Sequence, residues 1–188
     1  YGGDIAVGAM TILTSIMQFA MLPLQGLSQG AQPIASYNFG AKNAARVRQT
    51  FRLLLRASMI YSCAFWAIIM LFPQVFVSIF TSDASLAAFA NDSIRVYCAV
   101  LLLFGIQISC QITFIAIGNA KASIAVAVVR KFLLLIPLIY ILPRIFQSNQ
   151  TLAIYASEPV ADLIAVTFTS VIFFVQFRKA LKELETSI

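Results

Sequence analysis

An all-helical, polytopic transmembrane bundle of about five spans is the fold class that this sequence predicts, and three observations carry the prediction. Of its 188 residues, 61% are hydrophobic and 11% are charged, where a soluble domain carries about a quarter charged residues. The apolar residues fall into five runs, the shortest of them near the roughly 20 residues that a helix needs to cross a bilayer. The basic residues sort by side. Lys42, Arg46, Arg48, Arg52, Arg56, Lys121, Arg130, Lys131, Arg178, Lys179 and Lys182 gather on one side, and Arg95 and Arg144 fall on the other. Cytoplasmic loops carry such an excess, so the first residue is expected outside and the C-terminus in the cytoplasm. The net charge of +6 is then explained by the lipid bilayer as partner, without nucleic acid.

The first span is read over residues 5–36. At 1.5 Å per residue it is roughly 48 Å long against a hydrocarbon core of roughly 30 Å, so it should tilt, bend or project into water. Pro23 predicts a kink. Gly26 and Gly30 offer a small face for close approach of another helix. Gln25, Ser28, Gln29, Gln32 and Ser36 recur at offsets of three and four and so form one stripe. That stripe cannot face acyl chains, where an unpaired polar group costs several kcal/mol. It must face other helices or water.

The second span is read over residues 53–80, entered through Arg46, Arg48, Arg52 and Arg56, with Pro73 bending or ending it. A polar link follows over 81–92. The third span covers 94–117 and carries Gln107, Ser109, Gln111 and Thr113. After a turn at 118–121, the fourth span covers 123–142, with Arg130 and Lys131 in its early turns and Pro137 inside. Residues 143–157 read as the longest loop. The fifth span covers 159–177 and leads to a charged tail, 178–188. Tyr37, Tyr97, Tyr140 and Tyr155 fall near the expected interfaces and read as belt residues. The opening Tyr1-Gly-Gly-Asp reads as the middle of a loop, so the sequence is expected to be part of a longer protein.

Enzymatic chemistry finds little support. There is no His, the commonest general base and metal ligand. Cys63, Cys98 and Cys110 lie in apolar runs and read as small packing residues. No catalytic residue and no metal ligand is expected. Glu158 and Asp162 are the notable acids. At i and i+4 they share a face, and with Ser157 as cap and Pro159 in the first turn they would open the fifth span. Ionisable groups at membrane depth are usually functional, which makes both candidates for coupling or gating and Asp162 a candidate for the cavity wall. The plainer alternative places them at the outer interface, steadied by the helix dipole at about 0.3–1 kcal/mol. Arg95 is either a gate partner of Asp162 or a local partner of Asp92 and the headgroups. Gln25, Gln29, Gln32, Gln107 and Gln111 either line a cavity or hydrogen-bond between helices, at roughly 0.6 kcal/mol each. Asn91-Asp92-Ser93 and Asn149-Gln150-Thr151 match the glycosylation triplet.

The stretch Gly26-Leu-Ser-Gln-Gly-Ala-Gln-Pro-Ile-Ala-Ser-Tyr-Asn-Phe-Gly-Ala-Lys-Asn-Ala-Ala-Arg-Val47 resembles the multidrug and toxic compound extrusion (MATE) transporters, in particular the bacterial drug-efflux branch. The turn Gly118-Asn-Ala-Lys121 and the start Glu158-Pro-Val-Ala-Asp162 are similar to that family as well. The resemblance implies helices eight to twelve of a twelve-helix, two-lobed transporter, which places residues 1–188 in its second lobe. It further implies that an N-terminal lobe of the same chain is missing from this sequence. The implied activity is secondary antiport in a bacterial inner membrane. Cationic small molecules would leave as Na⁺ or H⁺ enters, with no cofactor beyond that coupling ion. In a bacterial protein the glycosylation triplets carry no meaning. The sequence departs from the family in one respect. Some members carry a cation-binding carboxylate inside the tenth helix, and residues 97–117 here hold no Asp or Glu. Two other readings stay open: a flippase for lipid-linked oligosaccharides, which would need a cationic cavity for a pyrophosphate, and a membrane subunit without transport activity.

Overall fold

The computed structural model describes residues 3–147 and 150–186. Tyr1 and Asn149, with the loop and glycosylation readings that fall on them, lie outside the described residues. Among the described residues, eight helices make five antiparallel passes. The first is α1 (Gly3–Gly40), 38 residues long and continuous through Pro23 and Pro33, so Pro23 does not divide it. The second is α2 (Ala44–Leu71), after which a short helix α3 (Pro73–Phe80) begins afresh. Pro73 therefore ends the span read over 53–80. It withdraws an N–H and pushes the preceding residue out of helical geometry, and Phe72 sits at φ −128, ψ 54.

Most of the expected polar link is helical. Asp83 caps α4 (Ala84–Tyr97) by accepting the N–H groups of Ser85 and Leu86 at 2.8 and 3.1 Å. The Ser85 hydroxyl and these two amides hold its carboxyl below the usual range. The third pass is a bent pair: α4 and the segment Leu101–Ala116, comprising a 3-10 turn (Leu101–Leu103) and α5 (Phe104–Ala116), meet at 44°. At the break, the Ala99 carbonyl accepts the indole N–H of Trp66 at 3.1 Å. An irregular backbone at membrane depth needs such a donor. The fourth pass runs through α6 (Ala120–Val128), a π-helical stretch (Val129–Leu135) and α7 (Ile136–Ile145). The fifth is α8 (Gln150–Thr186), which takes up most of the segment expected to be a loop.

Two turns at the same end of the bundle use one device. After α1, Lys42 lies at φ 56, with Lys42 N–H bonded to the Phe39 carbonyl and Asn43 N–H to the Asn38 carbonyl. After α5, Gly118 lies at φ 77, with Gly118 N–H bonded to Ile115 and Asn119 N–H to Phe114. Each is a left-handed C-terminal cap of the Schellman kind. In each, the following Asn then caps the next helix: Asn43 accepts from Arg46 N–H and Asn119 from Ala122 N–H. Asn119 also donates to Gln176 of α8.

Packing joins α1 to α2, α4 and α5, and α7 to α8. Where α5 crosses α2, the Gly105 Cα faces the Ser58 backbone so closely that a Cβ would meet it at 2.7 Å. Gly26 and Gly30, expected to be the close-approach face, have nothing within 4 Å of such a Cβ. One core, around Leu13, Ile16, Ile94 and Phe104, fills the end of the bundle nearer Gly3. A second, around Val47, Phe114, Phe173 and Leu181, fills the end nearer Gly40. There, Phe51 packs against Phe173 and Phe177 at ring distances of 4.6 and 5.2 Å. Tyr155 is buried and donates its hydroxyl to the Ala6 carbonyl at 2.6 Å, and Tyr97 is also buried, so neither is a belt residue. Tyr37 and Tyr140 are exposed. Large apolar side chains such as Ile60, Phe132 and Leu133 point outward, as a lipid-facing surface requires.

Candidate functional site

Between the two cores lies a cavity of about 940 Å³, at the upper end of the range of roughly 300–1,000 Å³ typical of small-molecule sites. The polar stripe of α1 supplies one wall. Gln25 and Gln29 line it, as do Thr14 and Gln18 a few turns upstream. Ser28 reaches the wall but donates its hydroxyl back to the Leu24 carbonyl at 2.7 Å, which keeps it in its own helix. Gln32 does not reach the cavity. It borders a narrow crevice with Thr50 and Thr113.

The third pass supplies the second wall through Tyr97, Phe104, Gln107 and Gln111. Gln107 is 5% exposed, and its Oε1 accepts no hydrogen bond. Buried polar atoms are almost always paired, so this carbonyl is an acceptor awaiting a donor. Ser109 and Thr113 bond back to Gly105 and Ser109 carbonyls within α5 and are structural.

The fourth and fifth passes bring the charges. Arg130 and Lys131 line the cavity from the π-helical stretch, and Glu158 lines it from α8. This corrects the sequence reading of Arg130 and Lys131 as early-turn residues at the cytoplasmic end. The fourth pass starts at Ala120, so Arg130 lies about 15 Å along it, near the middle of a core of roughly 30 Å. Arg130 Nε donates to Asp162 Oδ1 at 2.5 Å, with side chains 29% and 5% exposed respectively. The guanidinium carbon also lies 5.5 Å from the centre of the Phe104 ring, a cation–π arrangement. Asp162 sits behind Arg130, not on the cavity surface.

Glu158 and Asp162 do not open a helix at an interface: α8 starts at Gln150, Pro159 is internal, and the Ser157 hydroxyl bonds back to Ala153 at 3.1 Å. Arg95 does not reach Asp162. It is exposed in the last turn of α4 and forms no ion pair among the described residues. Sequence reasoning missed Thr14, Gln18, Tyr97, Arg130 and Lys131 as cavity residues. A signal existed for three of them. Thr14 and Gln18 continue the stripe upstream at helical offsets. Counting from Asn119 as the helix cap would have set Arg130 deep in the membrane.

Five apolar passes around a polar-walled cavity at mid-depth are the architecture of a polytopic membrane transporter. The chain belongs to the MatE family, whose pattern it matches over residues 1–141. It is 24% identical over 144 residues to the multidrug export protein MepA of Staphylococcus haemolyticus, a match covering 77% of this chain and 31% of that protein. Its fold is similar to the MATE multidrug transporter DinF-BH, solved in complex with rhodamine 6G, with a TM-score of 0.79 and 32% identity, covering 92% of this chain and 38% of that one. An outward-facing MATE family multidrug resistance transporter of the MOP superfamily shares the fold, with a TM-score of 0.84 at 17% identity, covering 98% of this chain and 40% of that one. The chain thus spans about a third of the length of the curated relatives it matches.

Proposed function

We propose that these five passes form part of the second lobe of a two-lobed exporter, preceded by a first lobe in the same polypeptide. The exporter carries small organic molecules bearing a positive charge out of a bacterial cell, against inward flow of Na⁺ or H⁺. The N-terminal end of α1 faces outward and the Gly40 end faces the cytoplasm. Without Arg130 and Lys131, nine basic residues still gather on the Gly40 side, and the positive-inside rule orients the bundle. The observation that carries the proposal is Glu158, a carboxylate on the wall of an amide-lined cavity at membrane depth. Such a group is expensive there unless it meets cations, protons or substrate. Alternating access then follows from rocking of the two lobes about a site near the midplane. Export of drugs by the MepA proteins, and the rhodamine dye bound to DinF-BH, support the substrate class. A pyrophosphate-binding flippase fits less well, because the two basic residues on the cavity are matched by Glu158 and Asp162.

The test uses the full-length protein in proteoliposomes loaded with rhodamine 6G, under an imposed Na⁺ or pH gradient. Gradient-driven dye movement is expected, with Glu158→Gln slowing it about tenfold or more at equal protein incorporation. Unchanged transport by Glu158→Gln would remove the carboxylate from the mechanism, and no transport by the parent protein would sink the exporter reading.

A further inference from the structure

Two cations and one anion, Arg130, Lys131 and Glu158, line the cavity, with Asp162 behind Arg130, and they are not arranged alike. Arg130 and Asp162 neutralise each other at 2.5 Å. Lys131 and Glu158 both line the same space, and neither forms an ion pair among the described residues. From this geometry we infer that the preferred substrate is zwitterionic, carrying an acidic group for Lys131 and the free end of Arg130 together with a basic group for Glu158. The inference rests on the exporter reading and narrows its substrate class.

Charge balance favours such a ligand. A cation entering the cavity gains Glu158 but also approaches Lys131 and Arg130. An anion gains Lys131 but approaches Glu158. Glu158 is half-buried and Lys131 more open, so either ligand sets a like charge beside a protein charge in a space only partly screened by water, which weakens its binding. A ligand with both charges satisfies both groups and adds no net charge to the four groups of this wall, which sum to zero.

Three further features favour an acidic group on the Arg130 side. Asp162 takes only Nε of the guanidinium, leaving the terminal N–H groups as a fork of the shape that binds carboxylates. The Phe104 ring holds that guanidinium at 5.5 Å, so the fork is pre-placed. Consecutive side chains on a regular α-helix point about 100° apart. The π-helical stretch Val129–Leu135 departs from that spacing where Arg130 and Lys131 both reach the cavity wall. The buried, unpaired Oε1 of Gln107 supplies an acceptor for an N–H or hydroxyl elsewhere on the ligand.

Rhodamine 6G and its free acid test this directly. They share one xanthene ring; the ethyl ester is a cation, and hydrolysis of the ester gives a zwitterion at neutral pH. Binding to the detergent-purified full-length protein is read by fluorescence anisotropy. The acid is expected to bind about tenfold more tightly than the ester. Lys131→Gln should weaken the acid about tenfold and strengthen the ester, collapsing the preference, while Lys131→Arg should keep it. Each variant is first checked by size-exclusion profile, and the Arg variant guards against a fold defect at this position. An ester that binds as tightly as the acid, or more tightly, overturns the inference alone. Failure of both dyes to bind overturns it together with the reading of the cavity as the substrate site. A preference for the acid that Lys131→Gln leaves intact overturns the assignment of Lys131 and with it the inference.

Discussion

Arg130 and Asp162 form one ion pair, yet removing either partner should not cost the same. Arg130→Gln leaves the Asp162 carboxylate, 5% exposed, inside the bundle with no counter-charge. Breaking a buried pair in this way costs about 3–5 kcal/mol. Asp162→Asn instead leaves a guanidinium that is 29% exposed toward the cavity and keeps its place over Phe104, a contact worth about 0.5–2 kcal/mol. Its cost should be near the 1–3 kcal/mol of one lost charged hydrogen bond. The expected gap is about 2 kcal/mol, up to about a 30-fold difference in the folded-to-unfolded ratio. Replacing both, as Arg130→Met with Asp162→Leu, should recover most of the loss, because an apolar pair of similar volume is often neutral or better. The assay is equilibrium unfolding of the purified full-length protein in mixed micelles titrated with SDS, followed by circular dichroism, for the parent, both single variants and the double variant. An Arg130→Gln protein within about 0.5 kcal/mol of the parent, the range of an ordinary surface change, would refute the reasoning. So would an Asp162→Asn protein less stable than Arg130→Gln.

Two more outcomes can be checked with the same preparations. Gly105→Ala puts a methyl 2.7 Å from the Ser58 carbonyl and 2.9 Å from the Met59 nitrogen. Both are backbone atoms that cannot rotate aside, so the α2–α5 crossing must open at a cost of about 1–3 kcal/mol, whereas Gly26→Ala, with nothing within 4 Å, should stay within about 0.5 kcal/mol; equal midpoints for the two would remove Gly105 from the packing account. For topology, a Lys42→Cys protein in intact cells should resist a membrane-impermeant maleimide added outside and react only after permeabilisation, and labelling from outside would reverse the proposed orientation.

The parts of the fold legible in the sequence are those set by local chemistry. Five apolar runs became five passes, and Pro73 opens α3 at a first-turn position, where its missing N–H leaves no helical bond unmade. The Gly-Ala-Lys-Asn and Gly-Asn-Ala-Lys turns were readable as motifs, and the structure supplies their reason in a left-handed cap followed by an Asn cap. What stayed hidden depends on tertiary partners. Nothing in the run from Cys98 to Leu103 marks a break. The bend exists where α5 presses on the Ser58 backbone and Trp66 bonds Ala99. Pro159 misled because proline favours a first turn, but α8 passes through it, supported on both sides by packed residues. Of the seven candidates outside α8's Asp162, five line the cavity: Gln25, Gln29, Gln107, Gln111 and Glu158. Gln32 lies on the same stripe but further along α1, in the crevice beyond the cavity, and Arg95 lies outside. Helical periodicity places the stripe, but which part of it meets open space depends on how far α2 and α5 extend beside it.

The bond from Trp66 to the Ala99 carbonyl joins two positions 33 residues apart in one inheritance. The broken turn needs a donor in a place that water does not supply, and the indole is that donor. A lineage that loses Trp66 should therefore close the break into a regular turn or gain another N–H or hydroxyl opposite position 99. Closing the break would swing α4 relative to α5 and reshape the wall that carries Tyr97 and Phe104. Substitution at an apparently ordinary packing aromatic would then change which molecules the cavity admits, and selection for new substrates could act on position 66 without touching any residue that binds them.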